Sequence, residues 1–540
     1  MKGDDFMTRP TRIKPGGIGV FANDAQLDRV QAFGSSHRVD PEELKEVGNV
    51  YIVETVDGVP TVDITLDTNE YASVKTIATL ANKQRDYGWV FVKPHSSTGT
   101  SVTVDSGEYF MNEMLYSLTA AADVALSTDI SALTANQKQI VVLSVKPSGS
   151  SSSITKTLGT AFTTDTVAAA TTGTPATPAG ELKVAEIQIE NGQTTITQDY
   201  IRITHDLVSV VEKDFETAYV DFSVPVKETG DNTTADAITR TQYVENAYVN
   251  RYDFNYTADG VATENFSLET DNKRWFLNTC SNIVCDRFVT TDGANQTYTL
   301  TQTPVKAYTT YATCLYVGVY NTTTDVWTKL TETTDYTVSG TTLTLIADHD
   351  ADKIVKARYT AATGGRFFKI LPKTKENYPY PAGGLKGGQI EIYLSDDASN
   401  QVQRIQGING SLELTRDALY EIGAKKSYGR PLQLPVPVTL NLETTASDLE
   451  DFARLCGKTF ATVKELSSSD FLKNLDVTIK LYRDDNEKRL KLPVNARKPL
   501  KTITINNISI TEDGGEVRVD SNMTQTYAAR ADNLTWASYI

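Results

Sequence analysis

Cysteine and histidine are both scarce in this chain, at four of each in 540 residues. Cys280, Cys285, Cys314 and Cys456 are too few and too scattered for a disulfide framework, and no second pair follows Cys280 and Cys285 at metal-site spacing. They read as buried or idle thiols in a reducing compartment. His37, His95, His205 and His349 stand apart and form no metal or catalytic cluster. Positive charge is in deficit: 52 Lys+Arg stand against 68 Asp+Glu, a formal net charge of −16. Gripping nucleic acid needs a basic footprint, so that is excluded as the main work of the chain. No apolar run approaches the ~18–20 residues that a membrane-spanning helix requires. Met1-Lys2-Gly3-Asp4-Asp5-Phe6 has no apolar core of the secretion-signal type, so export is not expected.

Catalytic motifs are equally thin. Gly457-Lys458-Thr459 ends like a phosphate-binding loop, but Phe452 occupies the first glycine position and a helical pattern replaces the preceding strand. Asp348, Asp350 and Asp352 have the spacing of a calcium loop, yet Lys353 and Tyr359 stand where glycine and glutamate are needed. Neither G-x-S-x-G nor H-E-x-x-H occurs. The expectation is a non-enzyme with no catalytic, cofactor or metal site.

What the chain does have is an internal repeat. Residues 27–48 read Leu-Asp-Arg-Val-Gln-Ala-Phe, a polar stretch, then Asp-Pro-Glu-Glu-Leu-Lys-Glu-Val-Gly. Residues 402–423 read Val-Gln-Arg-Ile-Gln-Gly-Ile, a polar stretch, then Thr-Arg-Asp-Ala-Leu-Tyr-Glu-Ile-Gly. Arg29 and Arg404, Leu44 and Leu419, and Gly48 and Gly423 are each 375 positions apart. Asp40, Pro41 and Glu43 make a capping box, and Thr415 is an equivalent cap. Both segments therefore predict a short helical turn closed by glycine. After one inserted residue, Val62, Ile64 and Leu66 alternate with Asp63, Thr65 and Asp67, as Val438, Leu440 and Leu442 do with Thr439, Asn441 and Glu443. That is the pattern of a half-buried strand. Each strand leads into an amphipathic helix: Tyr71, Val74, Ile77 and Ala78 in the first copy, Leu449, Phe452, Ala453 and Cys456 in the second. Ser447 with Glu450 caps the second helix and Gly457 stops it.

The later halves match less tightly. Val220–Val224 and Leu475–Ile479 are equivalent strands 255 positions apart, and Phe254–Gly260 pairs with Ile508–Gly514, both entering a hairpin turn at Asp-Gly. Trp275 and Trp536 close the two units. The first copy is split by about a hundred residues and the second is compact. We therefore expect a mainly β chain with a few short helices (α+β), in which two β-sandwich or barrel domains carry two inserted small all-β domains. The domains are 1–99 with 205–287, an insertion at 100–204, a second insertion at 288–363, a connector at 364–395, and 396–540. The 100–204 insertion has strands at Gln139–Leu143, Leu182–Ile189 and Thr194–Ile196, with Ser148–Ser153 as a flexible loop and Thr174–Gly180 as an extended connector. Strands at 297–301, 314–320, 336–338, 342–345 and 354–359, with a turn at Ser339-Gly340, suggest an immunoglobulin-like sandwich.

The order Arg-Val/Ile-Gln, polar hairpin, Glu-x-Gly, alternating strand and amphipathic helix resembles the tube fold of phage tail tube proteins. That fold recurs in baseplate hubs and in the tube of type VI secretion systems. The resemblance covers both repeats, roughly 300 residues. It implies rings of six such folds whose inner strands join into one barrel around a DNA channel. Two folds per chain then imply a homotrimer with pseudo-sixfold symmetry, stacked ring on ring in a phage tail. The implied partners are the chain itself, tape measure, tail terminator and baseplate or distal tail proteins, and viral DNA in transit without sequence-specific binding. The implied location is the virion, after synthesis in the host cytoplasm, with no membrane involved. An acidic channel repels phosphate and lets DNA slide. Asp63, Thr65, Asp67, Thr439, Asn441 and Glu443 are the candidate lining; the plainer reading has them facing bulk water. The polar hairpins at 34–40 and 409–415 are candidates for reaching the next ring. Competing classes are a baseplate hub or distal tail protein with the same fold, a cell-surface β adhesin, and an enzyme.

Overall fold

The structure, a computed structural model, describes residues 19–539 apart from 28, 40–41, 46–51, 57–59, 70–74, 84–86, 89, 112–113, 119–121, 149–150, 204–206, 228–237, 307–311, 322–325, 365–386, 395–404, 422–426, 446–452, 454, 457–461, 463, 466, 468–472 and 517–523. The chain is mainly β with a few short helices. Among the described residues, fifteen of the sixteen strands of one sheet carry the two repeats. The first has β1 (Phe21–Ala22), β2 (Val30–Val39), β3 (Pro60–Thr68), β4 (Leu207–Val211), β5 (Val220–Lys227), β6 (Ile238–Thr257), β7 (Thr263–Thr270) and β8 (Asn272–Leu277). The second has β9 (Ile390–Leu394), β10 (Ile405–Glu413), β11 (Val438–Thr445), β12 (Lys473–Leu481), β13 (Lys501–Glu516), β14 (Thr524–Ala531) and β15 (Asn533–Tyr539).

Two compact units divide the chain: Met1–Leu27, Val220–Ala247 and Thr270–Thr374 form the smaller, and Asp28–Tyr219, Tyr248–Glu269 and Lys375–Ile540 the larger. Strand β6 contributes its first ten residues to the smaller unit and its last ten to the larger.

In the larger unit eight strands follow one another in a single antiparallel sheet, in the order β2-β3-β7-β6-β10-β11-β14-β13. Four come from each repeat, in the same order. The first hairpins agree residue by residue. Val30 pairs Thr68, Ala32 pairs Asp67 and Ser36 pairs Asp63. In the second repeat Ile405 pairs Thr444, Gly407 pairs Glu443 and Ser411 pairs Thr439. A β-bulge falls between Val30 and Ala32 and again between Ile405 and Gly407. A bulge inserts one residue and re-aims the strand, so its recurrence at the equivalent place marks a shared fold, not a chance pairing. In the second hairpins, Val249 opposite Leu268 corresponds to Ile510 opposite Ala529, 261 positions on, and a bulge follows each.

The remaining strands repeat too. The smaller unit orders β1-β5-β6-β8 and the larger orders β9-β12-β13-β15. Val220 pairs Ala247 and Leu475 pairs Ile508, again with a bulge after each. Trp275 opposite Gln242 corresponds to Trp536 opposite Ile503. The two tryptophans thus close equivalent sheets, and the 255-residue spacing of Val220 and Leu475 holds. The expected Asp-Gly pairing does not. Asp259-Gly260 lies in the β6–β7 turn, whereas Asp513-Gly514 sits inside β13, opposite Tyr527 and Thr526. Backbone pairing along β14 overrides the local turn preference, because a paired strand satisfies both polar groups of each residue.

Other expectations need correction. Residues 42–45 do not form a helical turn; Glu42–Lys45 is a strand paired with Ile52–Val56. In the second copy Arg416 bridges Leu432 and Leu419 bridges Gly429, again extended. A one-turn helix is a costly nucleus, and the β-branched run 52–56 offers a better partner. Of the expected polar hairpins at 34–40 and 409–415, residues 34–39 and 409–413 are paired strand up to the ends of β2 and β10, Leu414 and Thr415 follow outside the strand, and residue 40 lies outside the described residues. Helix α1 (Lys75–Leu80) buries Ile77 and Ala78, and Ala453 and Cys456 are buried in the second copy. Tyr71, Val74, Ser447, Leu449, Glu450, Phe452 and the Gly457-Lys458-Thr459 motif lie outside the described residues.

The insertion of the larger unit has a main core running from Val90 to Ile201 and a smaller cluster of Ile140 and Ala170 with Val494. Its four-stranded sheet includes Lys138–Ser148 and Leu182–Glu190, and two short helices, Ser127–Ala132 and Val167–Gly173, join the expected strands. Thr194–Ile196 is not a strand, although Ile196 is buried. Of the serine run, Ser148 and Ser151–Ser153 are strand, with Ser148 opposite Ser151, and residues 149–150 lie outside the described residues. Register along Lys138–Ser148 overrides its loop-like composition. In the smaller unit, a four-stranded and a three-stranded sheet, counted among the described residues, enclose a core that includes Val284, Leu343 and Tyr359, the arrangement of a β sandwich. Its two-residue turn is Gly340-Thr341, one position later than expected, with Ser339 opposite Thr342 and Gly340 at φ 57°.

Candidate functional site

Alternation along the eight-stranded sheet sorts its side chains onto two faces. Val62, Ile64, Leu66, Tyr252, Phe254, Tyr256, Ile408, Leu412, Val438, Leu440 and Leu442 are buried on one. The six candidate residues Asp63, Thr65, Asp67, Thr439, Asn441 and Glu443 all lie on the other; Asp67 is half-buried and the rest are exposed. The structure therefore brings residues from 63 to 443 onto a common polar surface of one sheet. Cross-strand hydrogen bonds knit it together: Asn441 Nδ2 donates to Asn409 Oδ1 at 3.1 Å, and the Ser411 and Thr439 hydroxyls lie 2.7 Å apart. Arg251 Nε donates to both Asp253 oxygens at 2.8 Å, and its Nη1 lies 3.5 Å from Glu413 Oε1. Among the described residues the strand registers place Asp63, Asp67, Asp253, Glu413, Glu443 and Glu512 on this face against Arg38, Arg251 and Arg530. Its balance is acidic, as is that of the whole chain.

The second feature of the site is the joint between the repeats in the larger unit. β6, the last strand of the first four, pairs antiparallel with β10, the first of the next four, from Arg251 opposite Glu413 to Thr257 opposite Gly407. Close approach requires Gly410 here, because a Cβ would meet the Phe254 ring at 2.7 Å and Thr439 O at 2.9 Å. β4 of the first repeat adds to β15 of the second, with Val210 opposite Trp536. Trp536 is fully buried edge-on against Tyr252 at 5.2 Å and Phe215 at 6.0 Å.

Buried polar groups lock the joint. Arg416 donates to the carbonyls of Val249 at 3.1 Å, Glu216 at 3.2 Å, Arg430 at 2.8 Å and Phe215, with its guanidinium 5.3 Å from the Tyr248 ring centroid. Burial brings its pKa down to about 10, so it stays charged at neutral pH. Lys501 Nζ lies 2.6 Å from Glu264 Oε1, and Tyr256 donates its hydroxyl to the same oxygen at 2.6 Å. Burial, with the Glu264 charge beside it, raises the Tyr256 pKa far above its ordinary value and keeps it a donor. Sequence reasoning missed these residues. Arg416 lies inside the repeat but its counterpart is Pro41, and that mismatch is the signal the sequence offers.

The two insertions are fastened by similar chemistry. In the larger unit Lys498 reaches Glu186 at 3.1 Å, Arg202 donates to Pro499 O at 2.8 Å, and Asn495 N donates to Gln188 Oε1 at 2.9 Å. Burial would raise the Glu186 pKa, but the Lys498, Arg202 and Lys183 charges outweigh it and bring the group down to about 2. In the smaller unit Arg358 grips Asp24 in a fork, Nε to Oδ1 at 2.9 Å and Nη2 to Oδ2 at 3.0 Å, and also contacts Asp221 and Tyr243. Burial opposes ionisation of Asp24, yet Arg358 and Lys356 hold its carboxyl well below the usual range.

Asp348, Asp350 and Asp352 do not converge: the Asp350 carboxylate pairs Lys353 at 2.6 Å, and its carbonyl accepts from the Thr290 hydroxyl. Cys285 and Cys314 are buried, which raises both thiols to about 12 and leaves them unreactive. No group of three or more potential metal ligands occurs among the described residues, and no described helix is long and apolar enough to cross a membrane. Comparison with known proteins finds no family model and no curated sequence that matches this chain.

Proposed function

We propose that this chain is a structural ring-forming subunit of the tail-tube type, a virion protein of a phage tail. The observation that carries the reading is the head-to-tail joint, in which β6 of one repeat pairs β10 of the next within one continuous sheet. A contact of that kind uses two different surfaces, so repetition generates a closed ring or an open helix instead of a two-fold dimer. Six repeats at two per chain make a trimeric, pseudo-hexameric ring. The polar face then lines the lumen, and Asp63, Thr65, Asp67, Thr439, Asn441 and Glu443 are its channel-facing residues. A surplus of carboxylates there repels phosphate and leaves DNA unbound in transit.

Rings of this kind stack into a tube and meet tape measure, terminator and baseplate proteins at its ends. The insertions stand as decoration domains, and no catalysis or cofactor enters the reading. Because 34–39 and 409–413 are paired strand, ring-to-ring contact falls instead to the strand pair Glu42–Lys45 and Ile52–Val56 and to the bridged segments 414–421 and 427–436. Negative-stain microscopy and mass measurement of the purified chain test the proposal. Three-chain rings, single or stacked, are expected. Stacked cylinders favour the tube and isolated rings a baseplate hub, while a monodisperse monomer at high concentration removes both.

A further inference from the structure

The joint inside the chain specifies, residue by residue, a second joint between chains. Strand β2 is the counterpart of β10, yet among the described residues β3 is its sole strand neighbour. The distal half of β13 is the counterpart of the part of β6 that pairs β10, and among the described residues β14 is its sole strand neighbour beyond Ser509. Both edges belong to the larger unit.

Carrying the β6–β10 register across by the repeat spacings puts residues 512–516 antiparallel to residues 34–38. Arg251 opposite Glu413 becomes Glu512 opposite Arg38, the same ion pair with its charges exchanged. Tyr252 opposite Leu412 becomes Asp513 opposite His37, an acid facing an imidazole. Phe254 opposite Gly410 becomes Gly515 opposite Ser35. The glycine has changed strands, so space is again left where the partner carries a side chain. A shift of two residues would place Glu512 against Ser36 and Gly515 against Phe33, losing the charge pairing. Like or unpaired charges set directly opposite each other cost specificity, whereas opposite charges fix register.

We infer that a second copy of this chain is the occupant of these edges: residues 512–516 of β13 pair antiparallel with residues 34–38 of β2 in the next chain, with Glu512 opposite Arg38. The inference rests on the ring-forming reading and supplies its interface.

Two experiments on the full chain test it. Glu512→Arg and Arg38→Glu, each alone, weaken association roughly tenfold or more, and the double exchange restores it, as read by mass photometry across concentrations. Unchanged circular dichroism and thermal midpoints of the single variants exclude misfolding. Separately, Asp513→Cys with His37→Cys, in a Cys280→Ser background, forms a disulfide between chains under mild oxidation, whereas Asp513→Cys with Ser35→Cys does not. Covalent rings that stop at three chains support the register and the trimer together. Rings that stop at another number support the register and overturn the three-chain reading. Assemblies that form without this crosslink, or that prefer the shifted pair, overturn the register and leave the ring standing. A chain that never associates overturns both.

Discussion

Trp275 and Trp536 occupy equivalent places in the two repeats, yet the first is 47% exposed and the second fully buried. Backbone pairing around them is the same, so the difference lies in what covers the sheet. In the larger unit Phe215 and Tyr252 pack on Trp536, and β4 extends the sheet beside it. In the smaller unit Trp275 and Leu277 on that face are exposed among the described residues, while the opposite face carries Phe21, Tyr243 and Phe276 in a buried cluster. The second repeat has Tyr393, Thr504 and Ala537 at those places. One sheet has thus been adapted twice: in the second repeat to a core on one side, in the first to a seat for the inserted sandwich on the other. The comparison teaches that duplication conserved register, bulges included, and left the side chains to respond to their neighbours.

The largest expected contrast comes from the tryptophans themselves. Trp536→Ala costs about 3–5 kcal/mol, through lost burial and the cavity it leaves, while Trp275→Ala costs under about 1 kcal/mol in the unassembled chain. Denaturant midpoints of the two variants measure this, and equal losses would break the comparison.

Next comes the fastening of the insertion that only the first repeat carries. The ordinary Glu186 pKa is 4.5 and the folded one about 2, so its stabilisation is fully present above about pH 4.5 and drains away as pH falls toward 2. The linked loss is about 3 kcal/mol at the acid limit. Glu186→Gln flattens that part of the stability–pH curve, which thermal melts at pH 2.5, 3.5 and 5 would reveal.

A smaller effect follows from making one repeat resemble the other. Gly410→Ser gives β10 the residue that β2 carries at Ser35, but drives a side chain into Phe254 and Thr439. Overpacking there costs about 1–3 kcal/mol, whereas Ser35→Gly costs under about 1 kcal/mol. Parallel thermal shifts for the two variants check the asymmetry. The smallest effect belongs to the exposed Arg251–Glu413 pair, where Glu413→Gln changes stability by no more than about 1 kcal/mol. A loss several times larger by the same denaturation assay would mean that the pair is far less solvated than its exposure indicates.

The repeat was legible because alternation is a direct record of burial: Val62-Asp63-Ile64 and Val438-Thr439-Leu440 each announce a sheet with one wet face. The 375- and 255-residue spacings survived for the same reason, since a slip of one residue would turn the apolar set outward. Local rules failed where two segments compete for one backbone. The capping box at Asp40 to Glu43 is sound chemistry for a helix, but Glu42–Lys45 found a strand partner at Ile52–Val56. Asp513-Gly514 is a good turn by composition and lies mid-strand because β14 runs alongside it.

By itself, then, the order of residues determined the period, the repeat spacing and the two faces of the strands, because each depends on neighbours two residues away. Only the tertiary structure decided that the two halves share one sheet, that Arg416 and Lys501 are buried at its joint, and which tryptophan is covered. Those outcomes turn on contacts between residues hundreds of positions apart, where no periodicity carries the information and packing alone selects the partner.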